Sequence, residues 1–283
     1  ETVIVFGGPN YPTSTLEQEK FLRDHPAIDY YIIKEGEIAF AKLVEALIIV
    51  DFDKSKLPDD LPSIQCIDQD KKFHMSKVEE RITDMALIPS PYLNGFMDEF
   101  FDGRLLPIIQ TNRGCPFRCT FCVEGMQYYS RVAKTKDNKI QRELQFIAEK
   151  MAELRDQNNG RTDLHIADSN FGMYKEDMEV CKHIAELQDK YNYPEYISVA
   201  TGKNHKERVL EAGKLVNGAL RLSGAVQSLD EKVLKNIERD NINEKEILEL
   251  ALEASEIGAN SYSEIIMALP GDTRDAHFNT IKT

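Results

Sequence analysis

Short apolar segments alternate with longer amphipathic ones over the first fifty residues of the chain. Segments 2–6 and 28–33 are rich in β-branched and aromatic residues, which is typical of strands. Segments 15–24 and 37–47 have the wider spacing of apolar positions that predicts helices. This strand–helix–strand–helix order indicates a parallel sheet with covering helices.

The same alternation resumes after residue 105. The predicted strands are 106–110, 162–167, 197–200, 219–222 and 262–267. The predicted helices are 139–156, 175–191, 206–215, 231–237 and 244–257. Helix 139–156 has one apolar stripe from Ile140 to Leu154, which we assign to the core. Five strand–helix units in a row fit a barrel.

The chain therefore divides into an α/β segment (1–50), a connecting segment (51–104) and a larger α/β domain (105–283). The connecting segment is rich in charge and proline, which predicts a linker with short local structure. The chain begins at Glu1 and stops at Thr283 inside a predicted helix. We expect it to be an internal portion of a longer polypeptide.

Composition narrows the class of protein. With 283 residues, of which 42% are hydrophobic, the chain can bury the core of one large domain or two ordinary ones. The longest apolar runs, such as 46–50, are far shorter than the ~20 residues needed to span a bilayer, so no membrane span is expected. A formal charge of -13 disfavours nucleic acid as a substrate, and a small molecule or a peptide is expected instead.

Three of the five cysteines lie close together, at Cys115, Cys119 and Cys122, in a C-x-x-x-C-x-x-C pattern. Thiolates suit iron–sulfur clusters, zinc or Cu(I), and an electron-carrying [4Fe–4S] centre normally has four cysteine ligands. Three cysteines would leave one iron open for chemistry. Zinc would require a fourth Cys or His, and residues 123–164 contain neither. An odd cysteine count and the lack of a secretory signal disfavour disulfides.

The cysteine spacing, the aromatic Phe121 and the preceding Arg113-Gly114 resemble the signature of the radical S-adenosylmethionine (radical SAM) superfamily. This resemblance implies that the three cysteines bind a [4Fe–4S] cluster, that its open iron binds S-adenosylmethionine, and that the Phe121 backbone lies near the adenine. It further implies a 5′-deoxyadenosyl radical that abstracts a substrate hydrogen, and an external electron donor of the flavodoxin or ferredoxin type. The implied fold is a partial (β/α)6 TIM-like barrel whose sixth strand follows Thr283, and the implied location is the reducing cytoplasm.

Segment 224–239 resembles the G-x-Q-S…R pattern of the radical SAM subgroup that includes coproporphyrinogen oxidases and methylthiotransferases. By this resemblance Gln227 and Arg239 contact the methionyl end of S-adenosylmethionine. An arginine fork suits a carboxylate geometrically. The alternative for Arg239 is a surface cation beside Glu238 and Asp240.

Three other polar residues follow predicted strands, where functional groups gather in parallel β–α folds. Asp168 opens the polar segment 168–172 after the second strand, and Ser223 follows the fourth. Glu264, at the end of the fifth strand, resembles the acidic residue of a family segment and is expected to point into the barrel. All three are candidate S-adenosylmethionine contacts, and no residue is assigned a catalytic role.

Near the N-terminus, Gly7-Gly8 and the later Glu35-Gly36 resemble the C-terminal half of the flavodoxin-like (Rossmann-like) cobalamin-binding domain that precedes many radical SAM domains. These four residues are therefore candidate cobalamin contacts. Lys34 departs from the pattern, since relatives often have glycine there. The alternative is a degenerate remnant of the domain that serves as a docking surface.

Together these features predict a cobalamin-dependent radical SAM enzyme that transfers a methyl group to a small molecule or peptide. Three other functions stay open from the sequence. A cobalamin-linked enzyme could catalyse ring contraction or cyclisation without methyl transfer. The chain could instead be an iron–sulfur electron-transfer protein without catalysis, or a zinc-stabilised binding module.

Overall fold

A computed structural model of the chain describes residues 2–58, 60–156, 161–202, 204–241 and 244–282. The chain divides into two compact units, Glu1–Ile82 and Thr83–Thr283. The elements of the first unit are β1 (Val5–Gly7), α1 (Thr15–Asp24), β2 (Tyr30–Ile32), α2 (Glu37–Ile49), β3 (Ile64–Ile67) and β4 (Phe73–Met75).

The first unit is a four-stranded sheet in the order β1-β2-β3-β4 with a helix on each face. Strands β1 and β2 are parallel, as predicted, and β3 and β4 join them antiparallel. Successive side chains of a strand point to opposite faces. Accordingly, Tyr30 and Ile32 pack in one core with Leu43 of α2, while Tyr31 packs in a second core with Leu22 of α1.

Strands β3 and β4 lie within residues 51–104, which the sequence analysis assigns to a linker. The difference has a physical cause in Gln65 of β3, which is fully buried although its side chain is polar. The Gln65 amide accepts a hydrogen bond from the Tyr11 hydroxyl at 2.7 Å and donates one to Gln18 Oε1 at 2.9 Å. A buried polar residue satisfied in this way interrupts the apolar pattern that identifies a strand.

The second unit continues the alternation of strands and helices. Its strands are β5 (Ile108–Ile109), β6 (Asn112–Arg113), β7 (Ala133–Lys134), β8 (Asp163–Ile166), β9 (Tyr196–Ser198), β10 (Leu222–Ser223) and β11 (Ser261–Tyr262). Its helices are α3 (Lys139–Asp156), α4 (Asp177–Tyr191), α5 (Lys206–Leu215), α6 (Glu231–Asn236), α7 (Glu244–Glu256) and α8 (Arg274–Lys282).

The main strands of this unit are parallel and follow one another in sequence order. Strands β5, β8 and β9 pair side by side, and β10 pairs with β11. A parallel bridge between Ile197 and Leu220 connects these two groups. Because each crossover contains a helix, the carboxyl ends of these strands meet at one edge. The α/β prediction is confirmed, although the strands are shorter than predicted.

Helix α3 begins and ends at the predicted residues, and its apolar stripe faces the core. Ile140, Leu144, Ile147 and Met151 are all buried, and Leu154 packs against them. Burying such a stripe supplies most of the stability of a helix in a folded domain. Within the described residues, no helix combines the length and the apolar character needed to cross a bilayer.

Candidate functional site

The three clustered cysteines lie in a loop between β6 and β7, which pair antiparallel and so hold both ends of the loop. Cys115 and Cys119 are buried, whereas Cys122 is exposed. The Cys115 amide donates to the Tyr129 carbonyl at 3.0 Å, and the Cys122 amide donates to the Cys119 carbonyl at 3.1 Å. The loop is therefore folded back on itself by its own backbone.

Gly125 allows this loop to close. A Cβ at this position would lie 2.2 Å from the carbonyl oxygen of Cys119 and 3.0 Å from its carbonyl carbon. No side chain fits at such a separation without moving the backbone. Glycine at 125 is thus needed for the close approach of the two ends of the Cys119–Gly125 turn.

Two polar side chains from other segments reach the cysteine sulfurs. Asn170, in the polar segment after β8, places Nδ2 3.3 Å from the Cys115 sulfur. Arg239, which follows α6, places Nη1 3.7 Å from the Cys119 sulfur. Arg239 is only 5% exposed, so the alternative of a surface cation is wrong.

Across the described ranges, no three His, Cys, Asp or Glu side chains lie close enough together to surround one metal ion. The sulfurs of Cys115, Cys119 and Cys122 are therefore not gathered at one point in this structure. In a [4Fe–4S] site each cysteine binds a different iron. The three-cysteine ligand set stays a prediction.

Asp168 is buried and fully engaged by the segment that leads into the cysteine loop. It accepts the backbone amides of Thr111 at 2.8 Å and Asn112 at 3.3 Å, the Asn112 side-chain amide at 2.7 Å, and the Thr111 hydroxyl. Burial raises the pKa of Asp168 to about 6, although its hydrogen bonds act in the opposite direction. The structure thus gives Asp168 a role in holding the base of the loop, whereas the sequence analysis expected a contact with S-adenosylmethionine.

Gln227 is placed where a ligand could use its side chain. It is buried, and its Oε1 atom has no hydrogen-bond partner in the described part of the chain. Its backbone has a φ of 64°, which glutamine seldom adopts, and its amide donates to the Glu264 carbonyl at 2.8 Å. Backbone strain of this kind is common at binding sites. Ser223 lies nearby in β10 and is bonded through its backbone to the Thr201 hydroxyl at 2.8 Å.

Two residues predicted to contact S-adenosylmethionine, Glu264 and Phe121, lie at the surface. Glu264 is exposed in the described part of the chain, and its backbone still pairs with the strand before it, since its carbonyl accepts the Gln227 amide at 2.8 Å beside the Gln227–Ile265 bridge. Its contact with S-adenosylmethionine stays a prediction. Phe121 is 37% exposed at the tip of the cysteine loop. Its backbone role at the adenine stays a prediction.

Sequence reasoning missed Asn170 and Asp177. Asn170 lies in the polar segment 168–172 that follows a predicted strand, and this position is a sequence signal for the functional site. No motif, however, distinguishes the Asn170 amide from the other polar side chains of that segment. Asp177 accepts the amides of Gly172 at 2.7 Å and Tyr174 at 3.0 Å and so fixes the entry to α4. Burial raises its pKa to about 7, and the charge of Asp168 adds to the rise.

In the first unit, the candidate cobalamin residues follow the carboxyl ends of the parallel strands β1 and β2. Gly7 pairs with Ile32, so the glycine turn and the segment after β2 share one edge of the sheet. Gly8 has a φ of 108° and is exposed, and Gly36 is the N-cap residue of α2.

Glu35, at the same edge, is already engaged within the first unit. It accepts from Arg81 Nε and from the Ile82 amide, both at 3.0 Å. Neighbouring Lys34 has a φ of 67°, a backbone conformation that glycine adopts more readily than lysine.

These observations describe an α/β domain with a cysteine loop at the carboxyl ends of its parallel strands. The sequence model that describes the Radical SAM superfamily matches residues 109–283, which make up more than half of the chain. The chain belongs to the radical SAM superfamily, and the prediction of that family is confirmed.

Individual relatives add detail. The chain is 29% identical over 280 residues to the cobalamin-dependent radical SAM methyltransferase TokK of Streptomyces tokunonensis, covering 96% of this chain and 39% of TokK. It is also 29% identical over 277 residues to the 2-(S-pantetheinyl)-carbapenam-3-carboxylate methyltransferase of Streptantibioticus cattleyicolor, covering 95% and 38%. The chain thus spans about two fifths of the length of these relatives.

Solved structures share the fold. The apo form of the cobalamin-dependent S-adenosylmethionine radical enzyme OxsB superposes with a TM-score of 0.69 at 21% identity, covering 100% of this chain and 39% of OxsB. The radical S-adenosylmethionine methyltransferase TsrM of Kitasatospora setae, with cobalamin and a [4Fe–4S] cluster bound, gives a TM-score of 0.67 at 15% identity. That match covers 99% of this chain and 54% of TsrM.

Asp168 predicts a specific pH dependence of stability. Its pKa of about 6 in the folded protein lies above the ~3.9 of an unfolded aspartate. Its contribution to the free energy of unfolding is therefore complete below about pH 4 and is lost as the pH rises through about 6. Between pH 4 and pH 7, the wild type should lose stability relative to Asp168→Asn in denaturant titrations followed by circular dichroism.

Asp163→Asn is the matched control. Hydrogen bonds from Arg161 lower the pKa of Asp163, so its contribution is present above about pH 4 and is lost toward acid, the opposite sign. A constant stability difference between the wild type and Asp168→Asn over this range would contradict the assignment.

Proposed function

We propose that this chain forms the cofactor-binding part of a cobalamin-dependent radical SAM methyltransferase that acts on a small molecule or a peptide. The observation that carries the proposal is the cysteine loop, in which two buried thiols receive N–H groups from Asn170 and Arg239. The superfamily match and the names of the relatives support the same reading.

The residues of the loop fit an iron–sulfur cluster by their chemistry. Cys115, Cys119 and Cys122 are soft ligands, and they would hold a [4Fe–4S] cluster with one iron left open. N–H donors directed at sulfur are typical partners of cysteine ligands. With S-adenosylmethionine bound, this cluster would supply the electron for radical cleavage, and cobalamin would supply the methyl group.

The proposed S-adenosylmethionine contacts differ in how well the structure supports them. Gln227 has the strongest support, because its buried Oε1 lacks a partner in the described part of the chain. Arg239 is buried beside Cys119, and because each of its nitrogens already donates to the protein, it would reach S-adenosylmethionine through its two remaining N–H groups. Ser223 lies in β10 and Phe121 in the cysteine loop, whereas the Asp168 carboxylate is occupied by Thr111 and Asn112 and Glu264 is exposed.

For cobalamin, we propose the edge of the first unit formed by Gly7, Gly8, Glu35 and Gly36. Ligands of open α/β sheets bind at the carboxyl ends of the strands, and these residues follow β1 and β2 there. We propose that residues 1–50 of this unit correspond to the C-terminal half of a flavodoxin-like domain, with the antiparallel strands β3 and β4 following outside that half. The second unit, with its parallel strands in sequence order, would be most of a partial (β/α)6 barrel.

The protein's own residues would mainly orient and shield the reactants. Asp168 holds the start of the cysteine loop, and Gly125 lets the loop close around buried sulfurs. With both cofactors bound, such a site would keep water from the reacting groups and orient the substrate. An external one-electron donor completes the proposed system.

Cysteine variants test the cluster. Anaerobic incubation of the full-length protein with iron and sulfide should load the wild type with the iron content of a [4Fe–4S] cluster. Cys119→Ala should lose most of this iron, because a ligand is missing. Cys66→Ala, the same change at a half-buried cysteine outside the loop, should retain it. Equal iron in Cys119→Ala and the wild type would contradict the ligand assignment.

A bulky residue at the sheet edge tests cobalamin binding. Gly36→Trp fills the space beside the glycine turn, where a Cβ meets only Ile32 Cγ2 at 3.7 Å. Cobalamin affinity of the full-length protein should fall about tenfold or more, which corresponds to ~1.4 kcal/mol. Ile49→Trp, at the exposed far end of the same helix, should bind normally. Equal retention by both variants after gel filtration would place cobalamin elsewhere.

A further inference from the structure

The three candidate ligand sulfurs have unequal surroundings. The Cys115 sulfur lies 3.3 Å from Asn170 Nδ2, and the Cys119 sulfur lies 3.7 Å from Arg239 Nη1. Cys122 is exposed, and no hydrogen bond to its sulfur is found among the residues that the structure describes. Two of the three sulfurs are thus buried beside side-chain N–H donors.

Asn170 is held in place independently of the cysteine loop. It is fully buried, and its carbonyl accepts the Met173 amide at 3.3 Å. The adjacent Phe171 is tied by its backbone to Ala200 at 3.0 Å and to Gly202 at 2.9 Å. Within the described ranges, Asn170 Oδ1 has no hydrogen-bond partner. The Asn170 side chain is therefore directed at the Cys115 sulfur through its N–H group.

Arg239 is held just as firmly on the other side of the loop. Its Nε donates to Asn241 Oδ1 at 2.7 Å, and its Nη2 donates to the Ala225 carbonyl. The guanidinium is buried, so its positive charge acts on the Cys119 sulfur with little screening by water. Its three nitrogens all have protein acceptors, which leaves the arginine fixed before any ligand binds.

Resting on the proposed function, we propose that Asn170 and Arg239 are positioning residues that set the reduction potential of the cluster through the Cys115 and Cys119 sulfurs. Reduction adds one electron, and much of its charge is carried by the sulfurs. N–H donors and a positive charge at the ligand sulfurs stabilise that added charge and raise the potential. Cys122 is the third candidate ligand, and its solvent exposure would affect the reduction potential independently of Asn170 and Arg239.

Asn170→Leu tests this role, because leucine has a similar volume and no donor. The measurement is a potentiometric titration of the reconstituted full-length protein with dithionite, without S-adenosylmethionine, followed by EPR of the reduced cluster. The potential should shift to more negative values than in the wild type. Gln188→Leu is the matched control, since the part-buried Gln188 amide donates to the Pro194 carbonyl at 2.8 Å and the Val216 carbonyl at 3.1 Å instead of to sulfur. Its potential should stay close to that of the wild type.

A second pair of variants makes the test independent of one substitution. Asn170→Asp keeps the shape and, when ionised, replaces the donor by a negative charge, so at pH values where the carboxyl is ionised it should shift the potential negatively by more than Asn170→Leu. Arg239→Met removes the charge, and its shift should add to that of Asn170→Leu in the double variant because the two residues act on different sulfurs.

The outcomes separate this inference from the proposed function. A wild type that assembles no reducible cluster contradicts the proposed function itself. A wild-type cluster whose potential is unchanged in the Asn170 and Arg239 variants overturns only the role in setting the potential. Equal shifts in Asn170→Leu and Gln188→Leu also overturn it, since the effect would then come from the loss of any amide group in this unit and not from the donor to sulfur. Loss of the cluster from both Asn170 variants overturns it too, because Asn170 would then be needed for assembly.

Discussion

The buried carboxylate of Asp168 accepts hydrogen bonds from Thr111 and Asn112, the residues that lead into the cysteine loop. These bonds join the carboxyl end of β8 to the segment that follows β5. A buried carboxylate is stable only when such donors surround it. This interaction fixes the start of the cysteine loop at the end of the parallel strands.

Besides the hydrogen bonds of Asp168, the side chains of Asn170 and Arg239 contact the cysteine loop. Asn170 follows Asp168 by two residues, so the chain that fixes the base of the loop also delivers an N–H group to Cys115. Arg239 arrives from the segment after α6, and the Thr120 amide donates to the Ile237 carbonyl at 3.1 Å nearby. The polar groups that surround the sulfurs thus come from segments far apart in the sequence.

The sequence predicted the family, the α/β class and the course of the helices well, because these depend on cysteine spacing and on apolar periodicity. Helix α3 is a clear case, with its buried stripe where the pattern places it. Periodicity failed at β3, where the buried Gln65 looks like a surface residue. It also predicted a longer β11 than the two residues Ser261–Tyr262, since beyond Tyr262 the pairing continues as the isolated bridge between Gln227 and Ile265.

The roles of individual polar residues were harder to predict for a different reason. A motif can place Asp168 and Arg239 near the site, but it does not show which partners take up their hydrogen-bonding groups. In the folded chain, Asp168 is saturated by Thr111 and Asn112, and Arg239 bridges Cys119 and Ala225. Such pairings are tertiary contacts, and a single sequence contains no direct record of them.

The central claim is that the cysteine loop holds a cluster with one iron open to S-adenosylmethionine. The most direct measurement is low-temperature EPR of the reconstituted, dithionite-reduced full-length protein with and without S-adenosylmethionine. We predict a [4Fe–4S] signal whose g values change when S-adenosylmethionine is added, because the cofactor binds the open iron. A cluster signal that is identical with and without S-adenosylmethionine would contradict the account.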